Sequence, residues 1–202
     1  MLDAEVAAAL GHRHLAAWLR DIETKWAVHS SRRADGSPRM TLTQQIDHMR
    51  KLSLQLAAPE PKVAYTTSGT RLSAAVVEDP SVIVDTSVYW TPIRSLDEAR
   101  FLCVVINSDA ALQRVIPMQA RGWRDPRHFH KLVWELPIPE FDGSLELQRQ
   151  LEAAAIEAET IANTVVLPEG DYRRKRRAIR EALARTGLAA RINALVARLL
   201  NT

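Results

Sequence analysis

The chain has 202 residues, 47 % of them apolar and 25 % charged, with a formal net charge of +3. That composition excludes global disorder, no window of about 18 residues is apolar enough for a membrane helix, and the one cysteine, Cys103, forbids an internal disulfide. Aromatics are sparse, with five tryptophans among eleven rings, and alanine and leucine are plentiful, so helix should dominate.

The N-terminal stretch 3–30 reads as a helix, with Leu10, Leu15, Trp18, Leu19, Ile22 and Trp26 spaced three or four apart. The opening MLDAEVAAALGHRH has no basic segment followed by an apolar one, so no secretory signal is expected. A loop around Gly36-Ser37-Pro38 follows. Thr41 or Thr43 then caps a second helix over 43–56, ended by Pro59 and Pro61. Segments 63–67, 72–77 and 81–90 are rich in β-branched and aromatic residues, and they predict an antiparallel meander. Ser95 to Glu98 is a capping box for a helix through FLCVVIN, and Asn107-Ser108-Asp109 caps another reaching about Gln119. Beyond the basic loop ARGWRD, Pro126 starts a short helix ending in WEL, and Leu136-Pro137-Ile138-Pro139 must run extended. Between Ser144 and Val166, apolar and small residues alternate four and three apart in a coiled-coil-like seam. Helices over 171–186 and 188–200 complete the chain. The fold expected is α+β: a helical N-terminal pair (1–58), a recognition-like α+β part with a small antiparallel sheet (59–142), and a C-terminal helical bundle (143–202). Trp90 and Trp134 are expected in the core.

Charge is unevenly distributed. Residues 140–170 carry seven acids and one base, whereas 171–202 carry nine bases and two acids. Such neighbours either pair with each other or leave the basic run, Arg173 to Arg177, for a polyanion; partial pairing with the acidic 146–159 helix is expected here. Five bases (Arg114, Arg121, Arg124, Arg127 and Lys131) crowd eighteen residues with only Asp125 opposing them, and Trp123 and Phe129 interleave. Arginine forks suit phosphates and guanine edges, and an aromatic ring can stack on a base. The polar tip from Thr67 to Arg71 could add hydroxyl and amide contacts to phosphate.

Catalytic motifs are missing. The sequence contains no G-x-G-x-x-G, P-loop or G-x-S-x-G pattern. Cys103 sits in an apolar run, and neither His12 with His14 nor His128 with His130 is spaced to chelate a metal on a helix. No catalytic residue, metal or cofactor is therefore assigned to this chain.

The stretch ARFLCVVINSDAALQRVIPMQARGWRDPRHFHKLVWELPIPEFD (99–142) resembles the C-terminal target-recognition region of bacterial adenine-N6 DNA methyltransferases of restriction-modification systems, and is akin to type I specificity subunits. The resemblance rests on Val105-Ile106-Asn107-Ser108, the basic loop, the Leu136-to-Pro139 exit and the upstream strands at 62–69 and 82–90. It implies a module that reads double-stranded DNA, for which the residues offer Arg121, Trp123, Arg124, Arg127 and Lys131 of the basic loop and Thr67 and Arg71 of the hairpin tip, a tip that an ordinary turn would equally explain; the single cysteine fits a cytoplasmic setting. The resemblance also implies a catalytic methyltransferase partner that binds S-adenosylmethionine, because the family's cofactor loop and Asn-Pro-Pro-Tyr-type motif have no counterpart here. The rival reading is a helical assembly subunit that binds protein through the 145–166 seam and the 188–200 stripe.

Overall fold

A computed structural model describes residues 3–56, 61–85, 87–119, 128, 129 and 131–201. Contacts divide the chain into two compact units, 1–58 and 59–202. Among the described residues no single helix is long and apolar enough to cross a membrane.

In the first unit, α1 (Ala4–Ala9) and α2 (Arg13–His29) replace the single helix expected over 3–30. Gly11 at φ 83° is the cause, because a left-handed residue ends a helix and glycine alone adopts it freely. The Asp3 carboxylate caps α1 by accepting from the Val6 amide at 2.8 Å. Ala4, Ala7, Ala16 and Leu19 form the small core where the helices meet. The Trp26 indole donates to the Met40 carbonyl at 2.8 Å, fastening the 30–40 loop to α2. Thr41 and Gln44 form a reciprocal capping box on α3 (Leu42–Ile46). The helix expected to continue to residue 56 breaks at a 3₁₀ turn (His48–Arg50) and resumes as α4 (Ser53–Leu56). The break is explained by the Asp47 carboxylate, which accepts from the Leu52 and Ser53 amides at 3.0 and 2.9 Å and so offers the backbone an alternative to the helix.

The second unit is α+β. Strand β1 (Lys62–Thr66) lies between β2 (Ala74–Val77) and β3 (Val88–Pro92), antiparallel to both. The expected meander is therefore corrected: the order is β2-β1-β3, and most of the run 81–90 is connection, not strand. Side chains alternate across a sheet, so Val63 and Tyr65 face the helices, while Lys62 and Ala64 face the other way with Trp90, the register partner of Ala64. On that second face the Lys62 ammonium donates to the carbonyls of Val82 (3.0 Å) and Pro80 (3.3 Å) and lies 5.8 Å from the centre of the Trp90 ring. Lys62 is 0 % exposed. It holds the 78–87 connection down as the chain passes β1.

On the helical side, α5 (Leu96–Asn107) buries Phe101, Val105 and Ile106 against the sheet and against α7 (Glu146–Thr164). Its cap is nearly as expected: the Ser95 hydroxyl accepts from the Glu98 amide at 3.1 Å, but the Glu98 carboxylate accepts from Arg94, not from Ser95. The 3₁₀ turn Leu132–Glu135 lies where the WEL helix was expected. α6 (Asp109–Val115), α8 (Tyr172–Arg185) and α9 (Leu188–Leu199) complete the unit. The seam of α7 (Leu151, Ala154, Ala155) and the stripe of α9 (Ile192, Leu195, Val196, Leu199) belong to the same core as Val63, Tyr65 and Phe101. The helices after residue 143 thus have no core of their own. Both surfaces invoked for an assembly subunit are occupied internally.

Candidate nucleic-acid interface

Three basic features that are far apart in sequence meet at one end of the sheet. The first is the β1–β2 hairpin tip. Gly69 takes φ 131°, and the tip is fixed at its base by the Thr67 hydroxyl, which donates to the Ser87 carbonyl at 2.9 Å. Thr67 is half-buried, and Arg71, at the other end of the tip, is exposed with its guanidinium meeting Asp109.

The second is the end of the basic loop. Ser68 bridges His128, and the Phe129 amide donates to the Thr67 carbonyl at 2.8 Å. The Gln119 side chain donates to the His128 carbonyl at 3.3 Å, tying together the two ends of the loop. Arg121, Trp123, Arg124 and Arg127 lie outside the described residues; Lys131 is exposed. Phe129, expected among the basic side chains as a stacking ring, is only 1 % exposed and belongs to the core. Its burial anchors the exit of the loop.

The third is α8, capped by the Asp171 carboxylate, which accepts from the Arg174 amide at 3.0 Å. Ile179 and Leu183 turn inward, leaving Arg173, Arg174, Lys175, Arg177 and Arg180 exposed. Arg176 donates to the Ser73 hydroxyl, which docks α8 beside the hairpin. Burial, together with the guanidinium groups of Arg71, Arg176 and Arg177, holds the Arg180 pKa below its ordinary value, while Asp109 opposes that shift. Asp109 pairs with Arg71 at 2.7 Å, and both side chains are about half exposed. The arginine cluster is therefore crowded with like charge and only partly neutralised.

The expected pairing between Arg173–Arg177 and the acidic helix is not found among the described residues. Glu159 of α7 pairs instead with Arg100 at 3.2 Å, Glu157 pairs with Arg191, and Arg177 reaches Glu181 on its own helix at 3.6 Å. Two acids of α7, Glu159 and Glu157, are thus paired with its core-packing neighbours α5 and α9, and among the described residues none of the acids of α7 pairs with the basic run.

The motif residues around Asn107 have structural duties. The Asn107 side chain donates to and accepts from the backbone of Ala74, each at 2.9 Å, closing the outer edge of β2. Ser108 caps α6, and the Asn193 carbonyl oxygen accepts from the Asp109 amide at 2.8 Å, tying α9 to the start of that helix. Asn193 and Ser73 thus position Asp109 and Arg176, a role that no local sequence signal announces. Burial pushes the Cys103 thiol up to about 12, an inert group that donates to the Ala74 carbonyl. Trp90 is half-buried, and Trp134, expected in the core, is 42 % exposed. Its indole N–H is engaged by the buried Tyr65 hydroxyl, which leaves one side of the ring in solvent. Among the described residues no three His, Cys, Asp or Glu side chains are grouped to hold a metal ion. Compared with protein-family models and with curated proteins, the chain matches none.

Proposed function

We propose that this chain is a target-recognition module that binds double-stranded DNA in the cytoplasm and works with a separate catalytic methyltransferase of a restriction-modification system. The observation that carries the proposal is the convergence of Arg71, the base of the 120–127 loop and the exposed arginines of α8 at one end of the sheet. Such a surface meets two demands of DNA binding. A helix and a hairpin with several exposed guanidinium groups supply phosphate contacts that position the duplex. A loop clamped at both ends, with Arg121, Trp123, Arg124 and Arg127 between, supplies groups suited to base edges. S-adenosylmethionine would be held by the partner, and the resemblance of 99–142 to methyltransferase recognition regions supports that division of labour.

The test is a fluorescence-anisotropy titration with duplex DNA over a range of salt. Each phosphate contact should steepen the dependence of log affinity on log salt by about 0.9. Substituting Arg173, Arg177 and Arg180 by alanine should flatten that slope by about three without lowering the melting temperature, and should weaken all sequences alike. At least one of Arg121→Ala, Arg124→Ala and Arg127→Ala should act mainly on the preferred site, costing about 1–3 kcal/mol there. Unchanged affinity in both sets of variants would refute the interface.

A further inference from the structure

Away from the arginine cluster, the start of α5 faces the segment Leu132–Phe141 across a notch of about 170 Å³. Phe101, Trp134, Ile138 and Phe141 give it apolar walls, and Glu98 and Glu140 line it with carboxylates. Its outer wall is rigid. Pro137 and Pro139 fix their backbone φ, and Gln148, 2 % exposed, donates to the Glu140 carbonyl at 3.2 Å and accepts from the Asp142 amide at 2.7 Å. Trp134 is also fixed, edge-on to Tyr65 at 5.7 Å, although much of the ring is left in water. Glu98 and Glu140 make no ion pair with any described residue, whereas Glu146, Glu157 and Glu159 of the adjoining α7 each pair with an arginine. Glu98 is half-buried and spends one oxygen on the Arg94 amide.

A pre-formed apolar notch with an exposed indole and two carboxylates that no described residue pairs is complementary to an alkyl stem that ends in a positive charge. We propose that it is a docking pocket for one long cationic side chain, arginine or lysine, presented by a basic segment of a partner protein. The stem lies along Ile138 and Phe141, and the cation meets Trp134 and the two glutamates. The inference is independent of DNA binding, because none of these residues belongs to the arginine cluster.

The test uses the ¹⁵N-labelled full chain, with the Trp134 indole resonance assigned by Trp134→Phe. An N-acetylated, C-amidated Ala-Arg-Ala peptide should shift that resonance saturably. The same peptide with citrulline, a neutral isostere, should bind about tenfold more weakly or worse. Glu140→Gln, an exposed substitution compatible with folding, and Glu98→Gln, which keeps the acceptor for Arg94, should each narrow the gap between the peptides. Equal binding of the two peptides would overturn the proposal, as would an unmoved indole resonance at saturating arginine peptide.

Discussion

Replacing Lys62 by methionine tests whether a buried ammonium secures the crossover between β2 and β3. Methionine keeps the length of the stem and its contact with Trp90 but removes the charge and the donors. Two hydrogen bonds are lost, at 3.0 and 3.3 Å to Val82 and Pro80. A bond from a charged donor contributes about 1.5–3 kcal/mol, so the gross loss is about 3–5 kcal/mol with the longer bond weighted down. Against it stands the cost of keeping an ammonium out of water, which methionine does not incur and which amounts to several kcal/mol before relaxation. Val82 is 42 % exposed, so the abandoned carbonyls can recover water. The net destabilisation expected is about 1–2 kcal/mol, a fall in melting temperature of about 3–6 °C for a protein of this size. Urea unfolding followed by tryptophan fluorescence gives the free energy, and hydrogen exchange should show faster opening of the 78–85 amides specifically. Lys62→Ala should be worse than Lys62→Met, because it adds a cavity. A methionine variant as stable as the parent, with unchanged exchange at 78–85, would refute the latch.

Three further outcomes are expected. Leu151→Ala, at a fully buried position of the α7 seam, should cost about 3 kcal/mol in the same urea assay. Cys103 should resist iodoacetamide at pH 8 in the folded chain and react once unfolded. Because burial favours its neutral form, its stabilising contribution is complete below the ordinary thiol value of 9.0 and is lost as pH rises towards about 12, so Cys103→Ala should flatten stability over that window. Asp109→Asn removes the carboxylate paired with Arg71 and should raise DNA affinity and steepen its salt dependence; weaker binding would show that Asp109 organises the site more than it opposes it.

What could be read from sequence was what is decided locally. The caps at Ser95 and Ser108 depend on residues three positions away, and both form. Apolar spacing continues across Gly11 and so does not mark the break, whereas its left-handed φ turns the chain there. Neighbours in sequence usually pair, which favours a meander, but here β3 pairs with β1, and Lys62 of β1 holds the connection through carbonyls 18 and 20 residues away. The seam in α7 was recognised as a seam, but period alone could not show that α5 and α9 would fill it. The same holds for the site. Arg71 and Arg173 to Arg177 were visible as charges, but their neighbourhood depends on Arg176 meeting Ser73 across 103 residues. The partners of Glu157 and Glu159 follow from which arginines pack beside α7, a matter of packing rather than charge count.

The shared core of the second unit also dictates an order of events in folding. The sheet is covered by α5, and the outer side of α5 is covered by α7 and α9, the later-made helices of this unit. During synthesis the outer side of α5 therefore waits uncovered until α7 and α9 have left the ribosome. Contacts of such sequence separation carry a high loop-closure cost and slow the final collapse. The hairpin tip and α8, 103 residues apart at the Arg176–Ser73 contact, depend on that same late packing to be brought together, so an incomplete chain carries the charges without the surface they make together.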